Sequence, residues 1–519
     1  MADRRVVGEG AADAPRRWWA LAAITTVSLV MGLDMTILTV ALPTIAIDLD
    51  ASTSQLQWFV AGYTLVLAAG MLPAGTLGDR VGGKGLFLAA LVLFAGASIG
   101  CAYAGSAGLL IVARVVRGVG AAFLIPLSVS LVSLMFPAGE RARAIGIWTT
   151  AIVAGIPIGP VLGGWLLERY WWGSVFLVNV PLVLISGAAL VWLLPRTPGD
   201  AASGRIDVTG IALSSTGLIA LTYGLIGIGH RGWSPAVLVP VAAGAVLLAL
   251  FGYWMRRAPR PLFDPGMFRS VGFTSGSLLA AVAAFTLVGA VFVLPQYFQA
   301  IWGVDAQETG LRVLPVVGGL LVGVQVGLRS RPVVGARVLI AAGFGLMTAG
   351  LLIGARTDLD DGYLFVAVWT AVIGLGLGMS LPLALDVALD GVAAGRSGAG
   401  AGMIQTFRQL GSTLGVAVLG AALNARYRAS VDVTGLPEPV ADSVRGTAAA
   451  GVMVARSTGS ADLLESVQVA FVRGMGAMLL TCAAVTALAA LAALAVLPRP
   501  GVLTRAATTG QLADDNRAA

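Results

Sequence analysis

The chain has 519 residues, 57% hydrophobic and only 11% charged, with a mean hydropathy of +0.89 and a formal net charge of +7. Soluble domains carry about 25% charged residues, so this composition excludes a water-soluble globular protein and implies one solvated mostly by lipid. The basic surplus is scattered in short clusters between apolar runs, which speaks for membrane topology and against nucleic-acid binding.

Fourteen apolar runs of spanning length lie at 18–43, 55–77, 85–104, 108–135, 144–167, 174–195, 208–228, 235–255, 273–295, 310–328, 336–355, 362–385, 398–422 and 470–497. Each is near the ~20 residues that a helix needs to cross a bilayer. The first run contains a single ionisable residue, Asp34. A carboxylate inside hydrocarbon costs a few kcal/mol, about 2.5–3.5 on insertion scales, and marks a functional site by default.

Cytoplasmic segments of membrane proteins collect Lys and Arg. If both ends are cytoplasmic, the inner tails and loops hold 21 of these residues, among them Arg16, Arg17, Arg141, Arg256 and Arg337, while the short outer loops hold Arg169, Arg231 and Arg356. The expected organisation is a cytoplasmic tail 1–17, a six-helix bundle 18–195 and two inserted helices within 208–255. A second bundle, 273–497, carries a long outer loop at 423–469, and a tail follows at 498–519. Within that loop, VADSVRGTAAAG and ADLLESVQVAF read as short amphipathic surface helices. His230 reads as a solvated loop residue, and Cys101 and Cys482 as buried small hydrophobes without metal or disulfide spacing.

Residues 118–164 match residues 374–420 at a constant offset of 256: Gly118, Gly120, Pro126, Gly139, Gly146, Gly155, Gly159 and Gly164 all fall on a Gly or Pro of the same kind. Leu42-Pro43 and Leu294-Pro295 extend the relation at an offset of 252. A duplicated unit with its site between the copies is the plan of secondary transporters. The copies differ in charge. Asp34 falls on Thr286 and Arg114 on Thr370, whereas Arg408 of the second copy falls on Ile152. The arginines Arg114, Arg117 and Arg408 against the one acid suggest neutral, weakly acidic or monovalent cationic substrates.

The inner loop after the second run reads Gly75-Thr-Leu-Gly78-Asp79-Arg80-Val-Gly82-Gly-Lys84. Its glycines permit a sharp turn, Asp79 suits a helix start, and Arg80 and Lys84 suit acids or helix ends of a moving half. A P-loop is rejected, because Gly85 follows Lys84 and no strand precedes it. With no other nucleotide site visible, energy is expected from an ion gradient.

This loop resembles the signature of the major facilitator superfamily. Arg114-Val-Val-Arg117-Gly118-Val-Gly120 resembles the family's fourth-helix motif, with Arg117 where a glutamine is usual. Gly155-Ile-Pro157-Ile-Gly159-Pro160-Val-Leu-Gly163-Gly164 resembles its antiporter motif, a face expected to close the outward side against leak. Leu33-Asp34-Met-Thr36 with Pro43, Gln57-Trp58, Trp172, Asn179 and Phe407-Arg408-Gln409 complete a likeness to the fourteen-helix EmrB/QacA-type branch of drug:proton antiporters.

The resemblance implies an all-α integral membrane fold with fourteen transmembrane helices, two pseudo-symmetric six-helix bundles and two inserted helices. It implies alternating-access efflux of amphipathic small molecules in exchange for protons, by a monomer in a bacterial cytoplasmic membrane. No enzymatic activity, cofactor, metal or nucleic-acid partner is expected. Asp34 and Arg114 are the expected coupling pair; Trp58, Tyr63, Gln296, Phe407, Arg408 and Gln409 are the candidate cavity residues. Export of an endogenous metabolite or envelope lipid is the alternative. A nutrient symporter is disfavoured by the antiporter motif.

Overall fold

A computed structural model of the chain describes residues 14–51, 53–195, 207–231, 234–258, 261, 265–392 and 397–497. The tail residues 1–13 and 498–519 and the side chain of His230 lie outside that description. Apolar composition makes each long run helical despite the chain's 69 glycines and 23 prolines, because in lipid the backbone N–H and C=O groups must be paired within the segment. The first half comprises α1 (Ala14–Asp48), α2 (Thr53–Val81), α3 (Gly83–Ala102), α4 (Ala107–Met135), α5 (Ala138–Arg169), a short α6 (Ser174–Leu177) and α7 (Asn179–Leu193). Two further helices follow, α8 (Val208–Arg231) and α9 (Pro235–Arg257).

The second half comprises α10 (Val271–Ile301), a short α11 (Ala306–Arg312), α12 (Leu314–Val334), α13 (Ala336–Gly354), α14 (Tyr363–Asp390), α15 (Ser397–Ser430) and α18 (Ala461–Val496). Between the last two lie α16 (Glu438–Gly446) and α17 (Ala448–Thr458). Thirteen spans among the described residues are long and apolar enough to cross a membrane. The fourteenth long helix is α15, whose Gln405, Arg408 and Gln409 make it more polar.

Local chemistry sets the ends. Ser106, Ser270 and Ser460 cap α4, α10 and α18 through their hydroxyls, satisfying otherwise unpaired N–H groups. The tight α2–α3 and α12–α13 turns pass through Gly82 (φ 106°) and Gly335 (φ 82°), a backbone region that disfavours any side chain. Two boundaries correct the sequence reading. Helix α1 continues beyond residue 43 to Asp48, which puts Asp34 about 21 Å from that end of the helix. ADLLESVQVAF is the beginning of the spanning helix α18 rather than a separate surface helix, while α16 and α17 pack back on the bundle, with Tyr427 Oη donating to Val444 O at 2.8 Å.

The repeat is visible in space. Helices α4 and α14 begin at residues 107 and 363, 256 apart. An even number of crossings brings residues 14 and 497 to one end of the bundle, called here the tail end. The halves meet broadly there, α2 and α4 on α15, and α5 on α12 and α14. At the far end they meet through α5 and α11. Helix α8 bridges one seam, resting on both α2 and α15, with Ser215 Oγ donating to Ala69 O at 3.1 Å. The opposite seam holds an apolar cleft of about 330 Å³ between α5 and α11–α12, lined by Pro157, Val161, Trp165, Gly310 and Leu314 among others.

Candidate functional site

Four elements of the first half converge on Asp34, which is 1% exposed. Arg114 and Arg117 project from one face of α4, being three residues apart. Arg117 is the nearer partner, its Nη2 lying 2.5 Å from Asp34 Oδ1, while Arg114 Nη1 lies at 3.6 Å. Aromatic faces hold both guanidiniums. Arg114 lies over Tyr63 at 4.6 Å, and Arg117 over Phe94 at 4.6 Å and Phe176 at 5.3 Å. Arg114 Nε also donates to Phe59 O at 2.8 Å. The cluster is therefore two cations around one carboxylate, all fully buried, and it faces the interior of its own half.

The helix α5 closes over the other side of α1. A Cβ on Gly155 would meet the Leu29 carbonyl and Leu33 N, and one on Gly159 would meet Thr36 Oγ1 and Leu33 O. In return Gly32 of α1 lies against the Ile152 carbonyl. The small residues thus let two backbones touch around the turn that carries Asp34. The antiporter-like glycine face, expected to seal the outward side, packs instead within the first half. Gly163 continues it against Ile37, and Gly164 faces open space. The contact across the halves comes from the neighbouring face, where Gly310 of α11 sits on the Pro157 carbonyl.

The tail end is held by charge. Asp79 accepts hydrogen bonds from Gly398 N and Ala399 N, both at 2.7 Å, and so caps α15 of the opposite half. Gly75 makes this possible by lying against the Gly398 carbonyl. Arg80 is half-buried beside it, and Gly78 leaves room for Leu127. Lys84 donates to Val191 O and Leu194 O, at 2.7 and 2.8 Å, and so closes the end of α7 in its own half.

A second buried acid escaped the sequence reading. Asp386, at the end of α14, is 0% exposed, with Arg331 of α12 at 2.8 Å and Arg141 of α5 at 3.9 Å. Arg141 also pairs with Asp390 at 2.5 Å. This link crosses the halves. The repeat relates it to Ser130 and Ser397, whose hydroxyls lie 3.2 Å apart. Asp34 is accordingly not the only acid in a spanning helix.

The candidate cavity residues are not gathered into one place. Tyr63 belongs to the Asp34 cluster. Trp58 stacks on Tyr223 of α8 at 6.4 Å, and Phe407 packs edge-on against Phe268. Gln296 donates to Phe292 O of its own helix. Arg408 is the one that reaches across the halves, bonded to Gln405 Oε1 at 2.8 Å and lying 5.9 Å from the ring of Trp148 of α5, with Gln409 half-buried next to it. Because Arg114 and Arg117 are engaged by Asp34, counting interior arginines says nothing about the charge a substrate meets.

The description Major Facilitator Superfamily matches residues 24–416. The chain is 33% identical to the tetracenomycin C resistance and export protein of Streptomyces glaucescens over 91% of this chain and 90% of that one. It is 35% identical to the multidrug efflux pump LfrA of Mycolicibacterium smegmatis over 90% and 95% of the two chains. Among solved structures, the human organic anion transporter MFSD10 (TETRAN) superposes with a TM-score of 0.59 at 13% identity, covering 93% of this chain and all of that one, which speaks to the fold.

Proposed function

The chain belongs to the major facilitator superfamily, and from that premise we propose that it is a proton-coupled exporter of amphipathic drugs or antibiotics that works by alternating access. The observation that carries this reading is Asp34 clamped between Arg117 and α5 in a fully buried cluster. The arginine bias of the tail-end loops supports an orientation with that end in the cytoplasm of a bacterial cell. In that orientation the structure is closed to the cytoplasm by Asp79 and Arg141.

Protonation of Asp34 from the outside removes the negative partner of Arg117 and Arg114. The turn carrying it is then free of α4 while still packed on α5. Movement of α5 breaks the Arg141 link and opens the tail end to substrate; proton release inside, to restore the ion pair, drives the return. Arg408, with Trp148 and Gln409, is the candidate substrate contact at the seam. Both halves lie in one chain, split as 18–195 and 273–497, which supports a monomer as the working unit.

Dye uptake into inside-out vesicles with an imposed acid interior tests the reading. Asp34→Asn is expected to abolish gradient-driven uptake; transport at the wild-type rate would remove Asp34 as the proton carrier. Export of the cell's own product is the second reading, favoured by the relative whose name includes both resistance and export. It differs in substrate and leaves the coupling unchanged.

A further inference from the structure

We propose that Thr36 is a positioning residue for coupling, tying the Asp34-bearing turn of α1 to α5 through a carbonyl that Pro160 leaves free. This rests on the reading of Asp34 as the proton carrier. In a regular helix the Ile156 carbonyl accepts from the N–H of residue 160, and proline has none. Helix α5 nevertheless runs on through Pro160. The missing donor comes from the neighbouring helix, since Thr36 Oγ1 donates to Ile156 O at 2.7 Å. Gly159 provides the opening, because a Cβ there would collide with that hydroxyl. The three residues form one socket, with the space from Gly159, the acceptor freed by Pro160 and the donor from Thr36.

The repeat supplies an internal control. At the offsets of 256 and 252, Gly159 falls on Gly415, but Pro160 falls on Val416 and Thr36 on Val288. Gly415 still packs closely on α10, at the Phe285 carbonyl. The second half keeps the close approach and has lost donor and freed acceptor together, in the same half that has Thr286 in place of Asp34.

Position explains why the tie matters. Asp34 and Thr36 are two residues apart, so they point to nearly opposite sides of α1. One side is held by Arg117 of α4, the other by Ile156 of α5. A proton on Asp34 loosens the first attachment and leaves the second, so α1 follows α5.

The test compares Thr36→Val, Thr36→Ser, Pro160→Ala and Thr36→Val with Pro160→Ala in inside-out vesicles. Two readouts are gradient-driven dye uptake across a series of pH values and dye counterflow without a gradient. Thr36→Val is expected to lower driven uptake about tenfold, the scale of one buried hydrogen bond lost with its partner left unpaired, and to displace the pH profile. Counterflow should persist and Thr36→Ser should behave as wild type. Pro160→Ala restores an N–H to Ile156, so Thr36→Val should add little in that background. Three results overturn the proposal: a Thr36→Val transporter with unchanged driven uptake and pH profile, an equal loss in both Pro160 backgrounds, or a parallel loss of counterflow, which makes the residue merely structural. Asp34→Asn run alongside separates the two readings. If it keeps driven uptake, the proton-carrier reading falls and takes this one with it; if it loses uptake while Thr36→Val does not, only the tie is refuted.

Discussion

Replacing Arg141 by Gln should shift the resting population toward a tail end that is open. The structure sets the size of the effect. Arg141 faces a fully buried Asp386 at 3.9 Å, a distance at which two unit charges attract by about 4 kcal/mol at an effective dielectric constant of ~20. Its closer partner Asp390 is half-exposed, and exposed pairs contribute about 0.2–1 kcal/mol. Desolvation of Arg141 and the continued presence of Arg331 offset part of the sum. A net of about 1–3 kcal/mol remains, which is about a 5- to 150-fold change in the ratio of the two states.

Ser130→Cys reports this change, since Ser130 is buried at the pseudo-equivalent point of the opposite seam, at the same tail end. With Cys101 and Cys482 replaced by Ala, a membrane-impermeant maleimide should label Cys at that position faster in Arg141→Gln, by a factor in that range. The reverse variant uses the repeat. Ser130→Asp with Ser397→Arg writes the charged pair onto its neutral copy, and should slow export by holding the tail end shut. Equal labelling rates with and without Arg141 would refute the reasoning, because they would mean that the cross-half pair does not bias the equilibrium.

Two further outcomes follow from the same geometry. Asp79→Asn leaves one oxygen to accept from two N–H groups, losing charge-assisted bonds of about 1.5–3 kcal/mol, so it should raise tail-end labelling as Arg141→Gln does, and the two together should exceed either alone. Arg117→Gln removes the nearer partner of a buried carboxylate, a change that costs about 3–5 kcal/mol; it should abolish driven dye uptake and lower the unfolding midpoint in detergent. Full activity in Arg117→Gln beside an inactive Arg114→Gln would reverse the ranking of the two partners.

Much of the site could be read from the sequence where one position carried its own anomaly. Asp34 stood out because an isolated carboxylate is expensive in an apolar helix, and Asp79 because it opened a glycine-rich turn. The partners were harder. Arg117 shares a helix face with Arg114, and spacing alone cannot say which of two arginines a carboxylate on another helix approaches. Asp386 sits at the end of its apolar run, where an acid reads as a solvated helix end; its burial comes from Arg331 and Arg141 converging from helices distant in sequence. Lys84 had carbonyls of its own half within reach, and a long flexible amine takes the nearest helix end. The glycines of α5 told of a close approach without naming the neighbour, which proved to be α1. The repeat, read as a difference between copies, was the most informative signal because it removed the framework both halves share.

The same difference explains why α5 is the element that the proposed mechanism moves. Its middle is clamped on the turn of α1 that carries Asp34, through Gly155, Gly159 and Thr36. Its first turn carries Arg141, which links the halves. Between Arg141 and Ile156 there is no proline, so about 22 Å of regular helix connects the two. Pro157 and Pro160 lie beyond, on the far-end side, where α5 meets Gly310 of α11. Any bend that these prolines allow is thereby kept out of the segment joining the proposed proton site to the link. The equivalent helix α15 has the glycines, Gly411 and Gly415 on α10, but Ser397 in place of the arginine and Thr286 opposite in place of the acid. A stiff rod with a charge-sensitive middle and a charged first turn therefore exists once among the described residues. In the proposed mechanism this rod is the route by which a single proton on Asp34 is felt at the tail end of one seam.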